Sequence, residues 1–232
     1  MRFARAIWKL LVGVKDALVL IFMLIFFGVL YAGLSAKPVP VTEGVLTLDL
    51  DGAVVEQPSK ADFSEVVAGG SGTQEYRLRD LLAVLEEART DDRVKAVALD
   101  LDGFAGGGQT ALSDLADAIR KVRDPKKPVL AYATGYTDDS YQLASAASEV
   151  WLNPLGLVAV AGPGSQHLYY KGLLDKLGVT PHVYRVGTYK AAVEPSTRTD
   201  MWPEARQNAQ ALADALLESW RQGVLRARPQ AK

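Results

Sequence analysis

The sequence predicts an α/β domain with helices packed on a mainly parallel sheet, preceded by one transmembrane helix. Three observations carry this reading. Short apolar strands alternate with amphipathic helices between residues 45 and 152 in the order strand, turn, helix, the pattern of parallel strands joined by crossover helices. Glycine and aspartate punctuate the strand ends, where turns need them. Residues 17–36 carry no charge.

That run is the first element. Its 20 residues, rich in Leu, Ile and Phe, span about 30 Å as a helix, the thickness of a bilayer's hydrocarbon core. Gly33 and Ser35 also suit a cleavage site, so a removed signal peptide is the competing reading. The stretch 17–34 exceeds the about 7–15 apolar residues usual in a signal peptide, which favours an uncleaved anchor. Arg2, Arg5, Lys9 and Lys15 stand against the single acid Asp16 on one side. The positive-inside rule keeps that side cytoplasmic and puts the rest of the chain outside. The expected organisation is a tail and anchor over 1–36 and one domain over 37–232, long enough for a sizeable core.

Lys37-Pro38-Val39-Pro40 reads as an extended linker, because each proline disfavours helix in the residue before it. Residues 45–50 alternate as a strand and end in the turn Asp51-Gly52. Residues 57–74, with Gly69, Gly70 and Gly72, read as a mobile loop. Leu78, Leu81, Leu82 and Leu85 share one helical face. A buried strand follows over 94–101, then the turn 103–108 and a second amphipathic helix over about 110–122. Strand 128–133, helical residues 141–147 and the short strand 150–152, stopped by Pro154, continue the alternation. Residues 166–177 look helical, with Gly178 as their stop. The last helix begins near Pro203 and carries an i, i+4 stripe of Leu212, Leu216, Trp220 and Val224.

Composition removes several functions. Net charge is −1 with a pI near 6.2. Residues 37–232 hold 22 basic and 26 acidic side chains, so nucleic acid is not an expected partner. With no Cys there is no thiol nucleophile, disulfide or thiolate metal site. His167 and His182 lie 15 residues apart without ligand spacing, and neither a metal nor a cofactor is expected. Asp49, Asp51, Asp100 and Asp102 fall at strand ends, where capping is the commoner role and metal or acid/base work the rarer one. Gly162-Pro163-Gly164-Ser165-Gln166 is not a nucleophile elbow, since His167 stands where glycine is required. Gly106-Gly107-Gly108 has neither a phosphate-loop Lys-Ser/Thr nor a dinucleotide fingerprint. It is either a tight turn or a loop whose N–H groups line an oxyanion site.

The segment Tyr184-Arg185-Val186-Gly187-Thr188-Tyr189-Lys190-Ala191-Ala192-Val193-Glu194-Pro195 resembles the lysine-bearing segment of the signal peptide peptidase A (protease IV) family, membrane-anchored Ser/Lys peptidases of bacteria. The anchor, Phe104-Ala105-Gly106-Gly107, Leu143-Ala144-Ser145, residues 150–154 and residues 168–177 are similar to that family in the same order. The resemblance covers nearly the whole chain, and it implies a crotonase-like fold related to Clp protease.

By position, the resemblance makes Lys190 the catalytic base that takes a proton from a serine nucleophile. A lysine in water, with a pKa of about 10.4, is neutral in about one molecule in 2,500 at pH 7. The protein must therefore dehydrate the amine for it to serve as a base. Short members of the family carry the serine in a Ser-Gly-Gly stretch, but here that place reads Thr137-Asp138-Asp139-Ser140-Tyr141. Long members have two homologous domains, the first supplying Lys and the second Ser. This chain resembles that first half, inactive alone and needing a Ser-bearing second domain. The implied substrates are signal peptides and other apolar peptides, the setting is the inner membrane with the domain outside the cytoplasm, and homo-oligomers are expected. Two other classes stay open: a non-catalytic assembly or scaffold domain of the same fold, and a crotonase-type acyl-CoA enzyme, against which the external location counts.

Overall fold

The computed structural model describes residues 2–35, 42–59, 73–123 and 127–230. The expected linker at 37–40 and most of the expected loop at 57–74 lie outside the described residues. The chain divides into two compact units, 1–42 and 43–232.

The first unit is α1 (Arg2–Ser35). It is long and apolar enough to cross a membrane. The helix starts well before the uncharged run at Ala17, because Ile7, Leu10, Leu11 and Val14 continue the helical pattern between the basic residues. Lys15 and Asp16 pair at 3.0 Å where charge gives way to apolar sequence.

The second unit alternates strands and helices as expected. Its first half contains β1 (Gly44–Asp49), β2 (Ala53–Val55), β3 (Glu75–Arg77), α2 (Leu78–Thr90), β4 (Val94–Asp100), β5 (Gly106–Gly107) and α3 (Gln109–Arg123). It continues with β6 (Val129–Ala133), β7 (Tyr136–Thr137), α4 (Asp138–Ala146), β8 (Glu149–Leu152) and β9 (Val158–Ala159). The helices α5 (Lys171–Lys176), α6 (Glu194–Thr197) and α7 (Pro203–Ala227) complete it.

The main sheet runs β1-β4-β6-β8, every pair parallel. Its register sets Leu48 beside Leu99, Leu99 beside Ala131 and Ala131 beside Val150. Side chains alternate across the pleat, so Val97, Leu99, Val129, Ala131 and Ala133 share the buried face. Alanines there leave room for helices to approach. Leu78, Leu81, Leu85 and Ala88 of α2, with Leu112, Leu115, Ile119 and Val122 of α3, fill the core from that side. Helix α3 packs against α2, α4 and α7. Two smaller parallel sheets, β3-β2-β5 and β7-β9, shape the turns beside α4.

From Asn153 to Trp202 the chain is mostly exposed and irregular. The helix expected over 166–177 forms only as α5, because Leu168, Leu173 and Leu177 are exposed and bury no helical face. A helix without tertiary packing is marginal at this length. Gly178 does stop it. With φ at +68°, its N–H bonds the Asp175 carbonyl at 3.2 Å, and the Val179 N–H bonds Leu174 at 2.9 Å. This is a Schellman ending that favours glycine in the left-handed position. Along α7 the apolar stripe sinks progressively, from an exposed Leu212 through half-buried Leu216 and Trp220 to a buried Val224.

Candidate active-site elements

A cleft of about 230 Å³ opens where the start of α4 meets β5, the turn at Gly162 and the middle of α7. Its floor is set by how α4 begins. Thr137 is the N-cap: its hydroxyl accepts from the Ser140 N–H at 3.5 Å, and Ser140 Oγ accepts from the Thr137 N–H at 2.8 Å. This reciprocal pair occupies two of the amides a helix start leaves unbonded. Ser140 is only 2 % exposed, and its hydroxyl is committed to the cap. Ser140→Ala should therefore cost about 1 kcal/mol of stability and leave any peptide cleavage by a reconstituted enzyme unchanged, which thermal unfolding and a rate assay would check together.

The next two positions, Asp138 and Asp139, face the cleft. One oxygen of Asp138 accepts from the Ala161 N–H at 3.1 Å and the other from the Gly162 N–H at 3.2 Å. Asp139 Oδ2 accepts from the Gly107 N–H at 3.2 Å. The Trp220 indole donates to the Asp138 carbonyl at 2.8 Å and fastens α7 over the site. Partial burial pushes the Asp139 carboxyl above the usual aspartate range; the Gly107 N–H opposes that shift and the Asp138 charge adds to it. A raised value in the folded state means that the neutral form is the better-tolerated one. This stabilising contribution is complete below the ordinary value of 3.8 and is lost as pH rises through the folded value. In unfolding measurements from pH 4 upward, Asp139→Asn should thus gain on the wild type as pH rises; a constant difference would contradict the assignment.

Lys190 lies elsewhere, outside the residues that line this cleft. It is exposed, in an irregular stretch between Gly187 and α6. Gly187 has φ of +106°, and the Lys190 stem folds back across it, with Cγ 3.8 Å from the position a Cβ would take. The backbone there is tied to the start of α7. The Arg185 guanidinium stacks 3.4 Å from the Trp202 ring centroid and donates to the Lys190 carbonyl at 3.1 Å. The Tyr189 hydroxyl donates to Gln207 at 3.2 Å. Glu194, at the far end of the segment, is 4 % exposed, and its Oε1 is buried without a hydrogen-bond partner among the described residues.

The remaining candidates take structural parts. Asp102 accepts from the Thr134 N–H at 2.6 Å and its hydroxyl at 3.1 Å, and Asp100 accepts from the Asp102 N–H at 3.1 Å. The Asp51 carboxylate packs where a side chain on Gly103 would fall, and the Asp49 carbonyl accepts from the Tyr76 hydroxyl. The Asp100 and Asp102 carboxylate bonds are the turn contacts expected of aspartate at strand ends, whereas Asp49 takes part through its backbone carbonyl. His167 and His182 are both exposed, and His167 Nε2 lies 3.1 Å from Ser165 Oγ. Among the described residues no cluster of His, Asp and Glu is arranged to hold a metal ion. The contributions of Gly162 and Trp220 to the cleft were not read from the sequence; the only signal for Trp220 was its place in the apolar stripe of the last helix.

Residues 121–232 match peptidase family S49. The chain is 37% identical over 228 residues to protease 4 of Haemophilus influenzae, covering 94% of this chain and 37% of that protein. It is likewise 37% identical over 216 residues to protease 4 of Salmonella typhi, covering 88% of this chain and 35% of that one. It thus spans little more than a third of the length of these relatives. Among solved structures, an enoyl-CoA hydratase/isomerase family protein from Silicibacter pomeroyi overlays with a TM-score of 0.37 at 16% identity, covering 83% of this chain and 89% of that one. The C-terminal residues 121–232 are thus similar to peptidase family S49, and a likeness to protease 4 runs along most of the sequence.

Proposed function

We propose that this chain is the lysine-donating half of a membrane-bound Ser/Lys endopeptidase that degrades cleaved signal peptides, with Lys190 as its base. The observation that carries the reading is the Lys190 segment, an exposed amine on a backbone pinned by Arg185, Trp202 and Gln207, in a chain that matches a third of protease 4. In this reading a second, Ser-bearing domain covers Lys190 and dehydrates its amine. Lys190 Nζ takes the serine proton as Oγ attacks the scissile carbonyl. The same proton passes to the leaving amine as the C–N bond breaks, and water then releases the acyl group. The chain's own cleft has a capping Ser140 and two aspartates at the start of α4, so the nucleophile comes from outside it.

The domain assignment goes with this: residues 1–36 as cytoplasmic tail and anchor, residues 37–232 as the extracytoplasmic peptidase half, its N-terminus cytoplasmic by the basic residues before Asp16. An anchor beside the membrane raises the local concentration of apolar signal-peptide helices. The exposed apolar side chains of the stretch 153–202, among them Leu155, Leu168, Tyr184 and Val186, favour assembly with further copies or the second domain. They are also what a purely non-catalytic scaffold would present. The two readings separate in one assay. A quenched signal-peptide substrate should be untouched by the purified chain and cleaved when a Ser-bearing half of a protease 4 relative is added. Assembly of the two without cleavage would favour the scaffold.

A further inference from the structure

We propose that the turn at Gly106 and Gly107 is an anion hole for a carboxylate, and that Asp139 is its built-in occupant. Three features of the geometry converge on this. Gly106 has φ of +98°, a conformation that other residues rarely adopt. A Cβ at Gly106 would stand 2.5 Å from Asp139 Oδ2, so the bare backbone at that position is the space the carboxylate uses. The Gly107 N–H points at the same oxygen, at 3.2 Å. Gly107 is fixed from behind: β5 pairs with β2, and a Cβ on Gly107 would meet the Val54 carbonyl at 2.9 Å and Leu112 at 3.4 Å. The donor is therefore oriented by the sheet rather than by its acceptor. A donor preorganised in this way toward negative charge is the element that stabilises an oxyanion in acyl-transfer enzymes. Here a side chain of the protein itself fills the position.

The second carboxylate is also held by backbone amides. Asp138 takes the Ala161 and Gly162 amides, with Gly162 at φ of +74°. The consequence for function is independent of Lys190. A substrate carbonyl entering this cleft would meet the Asp139 carboxyl group where its own charge has to develop. A serine placed here alone would not make the cleft a peptidase; Asp139 would have to leave as well.

The test is chemical rescue in the full chain held in detergent micelles. Asp139→Ala removes the occupant and leaves a space the size of formate. Its Tm should fall by about 2–4 °C, and formate should restore at least half of that loss saturably, while chloride at equal ionic strength does not. Wild type and Asp139→Asn, in which the side chain still fills the hole, should show only the general salt response. In chain labelled with ¹⁵N-glycine, formate should move the Gly107 amide resonance of the alanine variant. A formate response of Asp139→Ala no larger than that of the wild type would overturn the proposal. If the alanine variant does not fold, the wild type decides. The Gly107 amide shift should follow a carboxyl titration that disappears in Asp139→Asn. A Gly107 shift that ignores pH would be equally fatal.

Discussion

Lys190→Ala is expected to lower kcat/KM of the reconstituted peptidase by about 10²–10⁴-fold, the usual worth of a positioned general base. Binding of substrate should change little, because in the proposed function the lysine acts on the serine proton and not on the peptide. Lys190→Arg should be nearly as damaged, since a guanidinium does not give up its proton near neutral pH. The stack of Arg185 on Trp202 and its bond to the Lys190 carbonyl hold the backbone independently of the amine, so both variants should keep wild-type unfolding temperatures. A loss of stability comparable to the loss of rate would mean that the lysine is structural.

The second large effect lies in the core. Leu112 on α3 has no exposure and sits against the same Gly107 that holds the carboxylate. Leu112→Ala should cost about 2–5 kcal/mol through lost burial and the cavity left behind, against a total stability of about 5–15 kcal/mol for an ordinary domain. Leu212→Ala, on the exposed end of the α7 stripe, should stay within about 0.5 kcal/mol. Thermal unfolding of the two variants side by side measures the contrast. Similar losses would mean that α7 is covered along its whole length in solution.

Where the sequence was legible follows from the range of the forces involved. α3 was legible to within a residue and α2 as a helical face, because their apolar residues recur every three or four positions against one sheet. The strands of the main sheet were legible as apolar runs bounded by Asp and Gly. The two- and three-residue strands β2, β3, β5, β7 and β9 were not, since a piece that short has no period and exists only through its partner. Helix α4, of which the sequence showed only a part, begins at Asp138, because its start is fixed by the Thr137–Ser140 cap rather than by apolar spacing. Residues 166–177 misled in the opposite sense: their helical pattern finds no surface to pack on among the described residues. The cleft combines residues as distant as Gly107 and Trp220, a juxtaposition only the tertiary fold makes. Lys190 came from a resemblance, as its composition and surroundings in the sequence alone describe an ordinary solvated lysine.

The claim that this chain supplies the base and another domain the nucleophile is tested most directly by finding the atom that becomes acylated. The chain and a Ser-bearing half should be mixed, treated with a serine-directed acylating inhibitor and mapped by mass spectrometry, with the wild type and Lys190→Ala in parallel. The expected result is a single label on the partner's serine, strongly reduced in the alanine variant, with none on this chain. A label on Ser140, Ser165 or any other serine of this chain, or partner labelling indifferent to Lys190, would contradict the account.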